Sequence, residues 1–145
     1  MPIMIPNNNL PPGTLRGVYA SLLLGQVAIG AILYFLSSQS TTEQAPASVM
    51  TGLQTWQLVA CALLLFAVLT AAYLRGRLVQ SATRPDGQKV ATTALVAWAL
   101  MEGANLATVI LAYRHNDTSL YLAFVVGLLA FVWLRPATWP LEAEA

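Results

Sequence analysis

Four stretches of this 145-residue chain are long and apolar enough to cross a lipid bilayer as helices, and that constrains its fold more than anything else. The first, residues 18–36, is 19 residues without a charge. At about 1.5 Å per residue it makes a helix roughly 28 Å long, close to the hydrocarbon thickness. The second covers 53–74, and the third covers 90–113, interrupted only by Glu102. The fourth, 120–134, is short and takes in Thr118 and Ser119 to reach across, giving 118–134. The expected fold class is all-α: a transmembrane four-helix bundle running up-down-up-down in a single membrane domain, 1–145.

Composition agrees. Hydrophobic residues make up 57% of the chain and charged residues 9%, against roughly 25% charged in a soluble domain. So few charges cannot cover a surface in water, and lipid must be the solvent. A net charge of +1 gives no electrostatic case for nucleic acid. Cys61 is the only cysteine, so it makes no internal disulfide and no metal site, and it reads as a small apolar-helix residue. No catalytic, metal or nucleotide motif is present, so the expectation is a protein without cofactor and without enzymatic activity.

The punctuation between the runs fits the same plan. Thr51 followed by Gln54 has the form of a capping box before the second span. Asn116 or Asp117 suits the cap of the fourth, and Pro136 and Pro140 stop it. Residues 37–50 form a polar loop, and 75–89 a basic one containing the turn signal Pro85-Asp86-Gly87. Residues 114–117 leave room only for a tight helical hairpin. Residues 1–14, with four prolines and three asparagines, read as a flexible lead-in, and 136–145 as a tail. The small-x-small sequence Ala45-Pro46-Ala47 lies some nine residues beyond the first run and centres on proline, so that run reads as a span rather than a cleaved leader.

Cations set the orientation. Four spans place Arg16, Arg75, Arg77, Arg84, Lys89 and Arg135 on one side and Arg114 alone on the other. The positive-inside rule then puts both termini in the cytoplasm, in a multi-pass protein of the bacterial inner (plasma) membrane. Tyr19, Tyr73 and Trp133 fall at the inner ends of spans, and Tyr34, Trp56, Tyr113 and Tyr121 at the outer ends, as headgroup-level anchors do. Spans two and four both end aromatic-Leu-Arg, in Tyr73-Leu74-Arg75 and Trp133-Leu134-Arg135. That suggests two helical hairpins in parallel repeat, although anchors and stop signals recur in any membrane protein.

One polar position lies deep in the spans. Glu102 is near the middle of the third, where a carboxylate costs roughly 3 kcal/mol on insertion scales. It must face a helix interface or a wet cavity, or be carried as the neutral acid. Asn105 follows three residues on. Gln26 near the centre of span one and Gly127 near the centre of span four come level with it. Gln26 is then placed to donate to Glu102, with Gly127 leaving room. Gly17, Ser21 and Gly25 form a small-residue stripe on span one, and Gly103 and Ala107 offer the same on span three. The simplest picture packs spans one and three together around a mid-depth polar contact. Two uses of Glu102, Gln26 and Asn105 follow. One is interhelical glue in a non-enzymatic partner or accessory subunit, which meets a second copy or another membrane protein through its small-residue faces. The other is the ion- or proton-binding acid of a small transporter or channel. His115, in the outer hairpin, reads as a solvated histidine, and the basic loop as a topology signal.

Two resemblances rest on these residues. The opening LRGVYASLLLGQVAIGAILYF, the stretch ALMEGANLATVILAY and the closing LRPATW resemble, over nearly the whole chain, a family of small four-span bacterial membrane proteins seen especially in Bacteroidetes. That family has no established activity, so the resemblance implies topology and a bacterial inner-membrane setting. Locally, Arg84-Pro85-Asp86 followed by Glu102 in ALMEGANL is similar to the polar loop and ion-binding helix of the ATP synthase proteolipid subunit c, which would make Glu102 the ion-carrying acid. That likeness covers about 30 residues. Span two contains no glycine, whereas the proteolipid family packs its inner helix through a glycine repeat.

Overall fold

The computed structural model describes residues 12–39, 54–80 and 86–140. The lead-in before residue 12, Thr51, Pro85, Arg84, most of the loop after the first span and the last five residues lie outside them. The described residues are all-helical, with α1 at Pro12–Gln39, α2 at Thr55–Val79, α3 at Gly87–His115, α4 at Thr118–Trp133 and a short 3-10 turn at Pro136–Thr138. Three of the four, α1, α2 and α3, are long and apolar enough to cross a membrane, and α4 at 16 residues is shorter.

The helices outlast the apolar runs. α1 continues through Ser37 and Ser38 to Gln39, and α2 passes Arg75 and Arg77 to Val79. Nothing in Ser, Gln or Arg breaks a helix once it has been nucleated. α2 starts one residue after Gln54, whose backbone N–H donates to Gln57 Oε1 at 3.0 Å. Asp86 caps α3 by accepting from the N–H of Gln88, so the tripeptide read as a turn supplies a helix start. α3 ends on Asn116 at φ 48°, the one positive-φ residue other than glycine among those described. Asparagine tolerates this left-handed cap. Asp117 then caps α4 by accepting from Ser119 N–H at 2.9 Å, which closes the hairpin in two residues.

α3 is the hub of the bundle. Its buried stripe runs Val90, Ala91, Ala94, Ala97, Trp98, Met101, Ala104, Asn105, Thr108, Val109 and Ala112, and α1, α2 and α4 all pack on it. Against α1 the register is constant. Tyr19 meets Trp98, Gln26 meets Asn105 and Ser37 meets Asn116, each pair 79 positions apart, so α1 and α3 run parallel. α4 returns antiparallel to both, with Tyr121 donating to the carbonyl of Leu33 at one end and Tyr19 to that of Phe131 at the other.

Much of the apolar surface points outward. Leu24, Tyr34, Phe35, Leu65, Phe66, Leu122, Val126 and Leu129 are each at least 60% exposed. A water-soluble bundle buries such residues, whereas lipid solvates them.

Candidate functional site

At the centre of the bundle, Asn105 Nδ2 donates to Gln26 Oε1 at 2.7 Å. Both side chains are 0% exposed, so this amide pair is sealed between α1 and α3. Thr108, one turn on, is equally buried but turns its hydroxyl back to the carbonyl of Ala104 at 2.8 Å, inside its own helix. The pair is therefore the single interhelical polar contact at this depth among the described residues. It uses one donor and one acceptor, and it leaves Gln26 Nε2 and Asn105 Oδ1 buried without partners.

Gly127 of α4 faces this pair. A Cβ added there would lie 2.0 Å from Asn105 Oδ1 and 3.0 Å from Leu64 Cδ2. The missing side chain is the room into which the Asn105 amide fits. Gly30 does the same for an aromatic ring, since its Cβ would come within 2.4 Å of Phe124 Cε1.

Glu102 is placed differently from the sequence expectation. It is half-buried and makes no hydrogen bond among the described residues, and Gln26 bonds Asn105 in its stead. The reason is angular. Met101 and Asn105 both point into the core, and Glu102, one residue past Met101, is turned about 100° from it. That puts Glu102 to one side of the buried stripe of α3. Gly127 accordingly makes room for Asn105, not for the acid.

The small-residue stripe is also used differently. A Cβ at Gly17, Gly25 or Gly103 would meet nothing within 4 Å, so these glycines do not make the α1–α3 contact. The seam is built instead from Leu15, Tyr19, Gln26 and Ser37 against α3 and its neighbours. Gly103, the residue after Glu102, is exposed and has open space at its Cβ position. Among the described residues no group of histidine, cysteine, aspartate and glutamate could hold a metal ion.

Two polar clusters at the ends of the bundle escaped sequence reasoning. At one end Asp117 accepts from Ser119, from Gln57 Nε2 at 2.6 Å and from Trp56 Nε1 at 3.4 Å, and Trp56 stacks on His115 with ring centroids 4.1 Å apart. Burial pushes the Asp117 carboxyl up, but bonds from the Ser119 hydroxyl, Gln57, the Ser119 N–H and Trp56 outweigh it, and the net shift is below the usual aspartate value. His115 is exposed, as expected, and is also one face of an aromatic stack. At the other end Tyr19 donates to Phe131 O at 3.0 Å, while Trp98 and Trp139 both donate to Leu134 O, at 2.8 and 3.1 Å. Tyr19, expected as a headgroup anchor, is 8% exposed and stacks on Phe131 in the core. Cap signals near Asp117 were legible, but nothing in the sequence pairs rings that come from different helices.

Comparison with protein-family models, curated proteins and solved structures gives no match to this chain.

Proposed function

We propose that the chain is a non-enzymatic bacterial inner-membrane protein that acts as a partner or accessory subunit, meeting its partner along the face of α3 that carries Glu102 and Gly103. The carrying observation is Glu102: half-buried, without a hydrogen bond among the described residues, and followed by Gly103, where a Cβ would meet nothing within 4 Å. An acid left in this state against lipid is costly, and small residues beside it allow another helix to approach closely and cover it.

The same reading takes α4 as a fourth crossing. Its Asp117 cap is level with Trp56 and Gln57 at one end of α2, and Arg75 at the other end donates to Thr138 O at 3.0 Å and lies over the Trp133 ring. Trp56 to Arg75 is 19 residues of helix, roughly 28 Å, about one hydrocarbon thickness. α4 with its caps bridges the same two levels. Four crossings with the cation bias of the sequence support a cytoplasmic position for both termini. The resemblance to four-span Bacteroidetes-type proteins fits this setting.

The transport reading would need Gln26 and Asn105 to join Glu102 on a wet path. Their closure on each other at 0% exposure weighs against that. The test is affinity purification from native membranes, wild type beside Gly103→Leu. The added side chain has space within this chain. The subunit reading expects a stoichiometric partner, or a second copy, with the wild type and its loss with a folded Gly103→Leu. Proton or solute flux in proteoliposomes, abolished by Glu102→Gln, would overturn it in favour of transport.

A further inference from the structure

Between α2 and α4 runs an apolar groove of about 370 Å³, lined by Cys61, Leu64, Leu65, Val68, Ala123, Val126, Gly127 and Ala130. Its volume falls in the range of roughly 300–1,000 Å³ typical of small-molecule sites. The α2 lining recurs at positions 61, 64, 65 and 68, and the α4 lining at 123, 126, 127 and 130, so each helix presents one continuous face. Cys61, Leu65 and Val126 are exposed, which opens the groove toward lipid.

The wall at Gly127 is where this groove differs from an ordinary lipid-filled furrow. Directly behind it sits Asn105 Oδ1, 2.0 Å from the position a Cβ would take, and that atom has no hydrogen-bond donor. Asn105 itself is 0% exposed. A carbonyl oxygen left unpaired in hydrocarbon is expensive, and no donor in the described chain reaches it. Leu64, which also lines the groove, has its Cδ2 3.0 Å from the same Cβ position. A change of Leu64 rotamer is the movement by which a groove occupant would reach the acceptor.

We infer that the α2–α4 groove binds a lipid-soluble molecule with a single hydroxyl donor, such as a long-chain alcohol, its apolar body along Leu65, Val68, Val126 and Ala130 and its O–H donating to Asn105 Oδ1 past Leu64. The groove supplies almost entirely apolar contact, and the buried acceptor asks for one donor and nothing else. A hydrocarbon satisfies the first requirement only. An ether, which accepts but does not donate, fails the second.

The test uses the full-length protein in lipid nanodiscs and a diazirine-bearing dodecanol as photoprobe, with adducts located by mass spectrometry. The expected result is saturable labelling confined to residues 61–68 and 123–130. Dodecanol should compete roughly threefold to tenfold better than dodecane or dodecyl methyl ether at equal membrane mole fraction, the worth of one hydrogen bond. Asn105→Leu should erase the preference for alcohol over alkane. Val126→Trp, which fills the groove from its lipid side and leaves the amide pair alone, should abolish labelling even if Asn105→Leu fails to fold. Equal competition by alcohol and alkane would overturn the inference, as would labelling that never saturates or that survives Val126→Trp. So would protection of Asn105 by an ordered water or by Gln26 alone, visible as alcohol-independent amide-proton shifts.

Discussion

Gly127→Ala gives the sharpest test of the bundle's centre, because it adds one methyl at a point the structure defines closely. The new Cβ would sit 2.0 Å from Asn105 Oδ1 and 3.0 Å from both Asn105 Cγ and Leu64 Cδ2. The amide must retreat by roughly 1 Å or more to reach van der Waals distance, and that movement breaks the 2.7 Å bond to Gln26. Losing an interhelical hydrogen bond in a membrane costs about 0.6 kcal/mol on average and up to about 1.7. Overpacking adds about 1–3 kcal/mol. Replacing glycine by alanine inside a helix returns about 1 kcal/mol. The balance is a destabilisation of roughly 1–3 kcal/mol. It is read as a shift in reversible unfolding with SDS mole fraction in mixed micelles, followed by tryptophan fluorescence. Gly103→Ala is the control: it has the same chemistry with nothing within 4 Å, and is expected to be neutral or stabilising by up to about 1 kcal/mol. In an Asn105→Ala background the Gly127→Ala penalty should largely vanish, since the oxygen it strikes is gone. If Gly127→Ala is as stable as Gly103→Ala, the placement of Asn105 against α4 is wrong.

Tyr19→Phe removes the hydroxyl bond to Phe131 O and should cost about 1 kcal/mol in the same unfolding assay, while keeping the ring stack. Glu102→Leu should leave bundle stability unchanged or improved, because no partner among the described residues is lost; a marked loss would mean the acid is internally bonded after all. Asp117, whose carboxyl titrates below its usual 3.8, adds stability that is fully present above that value and is lost as pH falls from there through its lowered value. Asp117→Asn should flatten this acid limb of a stability–pH curve, and an unchanged limb would refute the assignment.

What sequence could reveal follows from what kind of interaction each feature is. The apolar runs report a one-body property, transfer into lipid, and they locate α3 to within a turn, whereas α1 begins six residues before its run and α2 ends five residues after its own. Caps such as Asp117 are equally local and equally legible. The expected Gln26–Glu102 contact fails for a physical reason. The costliest residue in a span looks like its functional centre, but burial is decided by angle, and a step of one residue carries the side chain out of the Met101–Asn105 stripe. The Gln26–Asn105 bond needed the register between two helices, which no single helix encodes. The glycines divide on the same principle: Gly30 and Gly127 are filled by Phe124 and Asn105 from other helices, while Gly17, Gly25 and Gly103 face open space. In sequence the two groups look alike.

The shortness of α4 ties the aromatic cluster to the membrane reading. A helix's last carbonyls have no partners within it, and in hydrocarbon each one unpaired costs several kcal/mol. A full-length span carries them out to water. α4, at 16 residues, reaches that level only with its caps. The backbone N–H groups of Leu134 and Arg135 take up Ala130 O, Phe131 O and Val132 O, and ring donors from the bundle complete the end: Tyr19 adds a second bond to Phe131 O, and Trp98 and Trp139 together meet Leu134 O. Indole and phenol suit this place because each is apolar except for one donor, so they cap a carbonyl without bringing a charge below the headgroups. Arg75, reaching Thr138 O from α2, then marks where charge becomes affordable again. The two indoles thus satisfy the carbonyl just past a helix that ends early. Replacing both Trp98 and Trp139 by Phe should destabilise α4's end far more than either change alone, because a single remaining indole still satisfies Leu134 O.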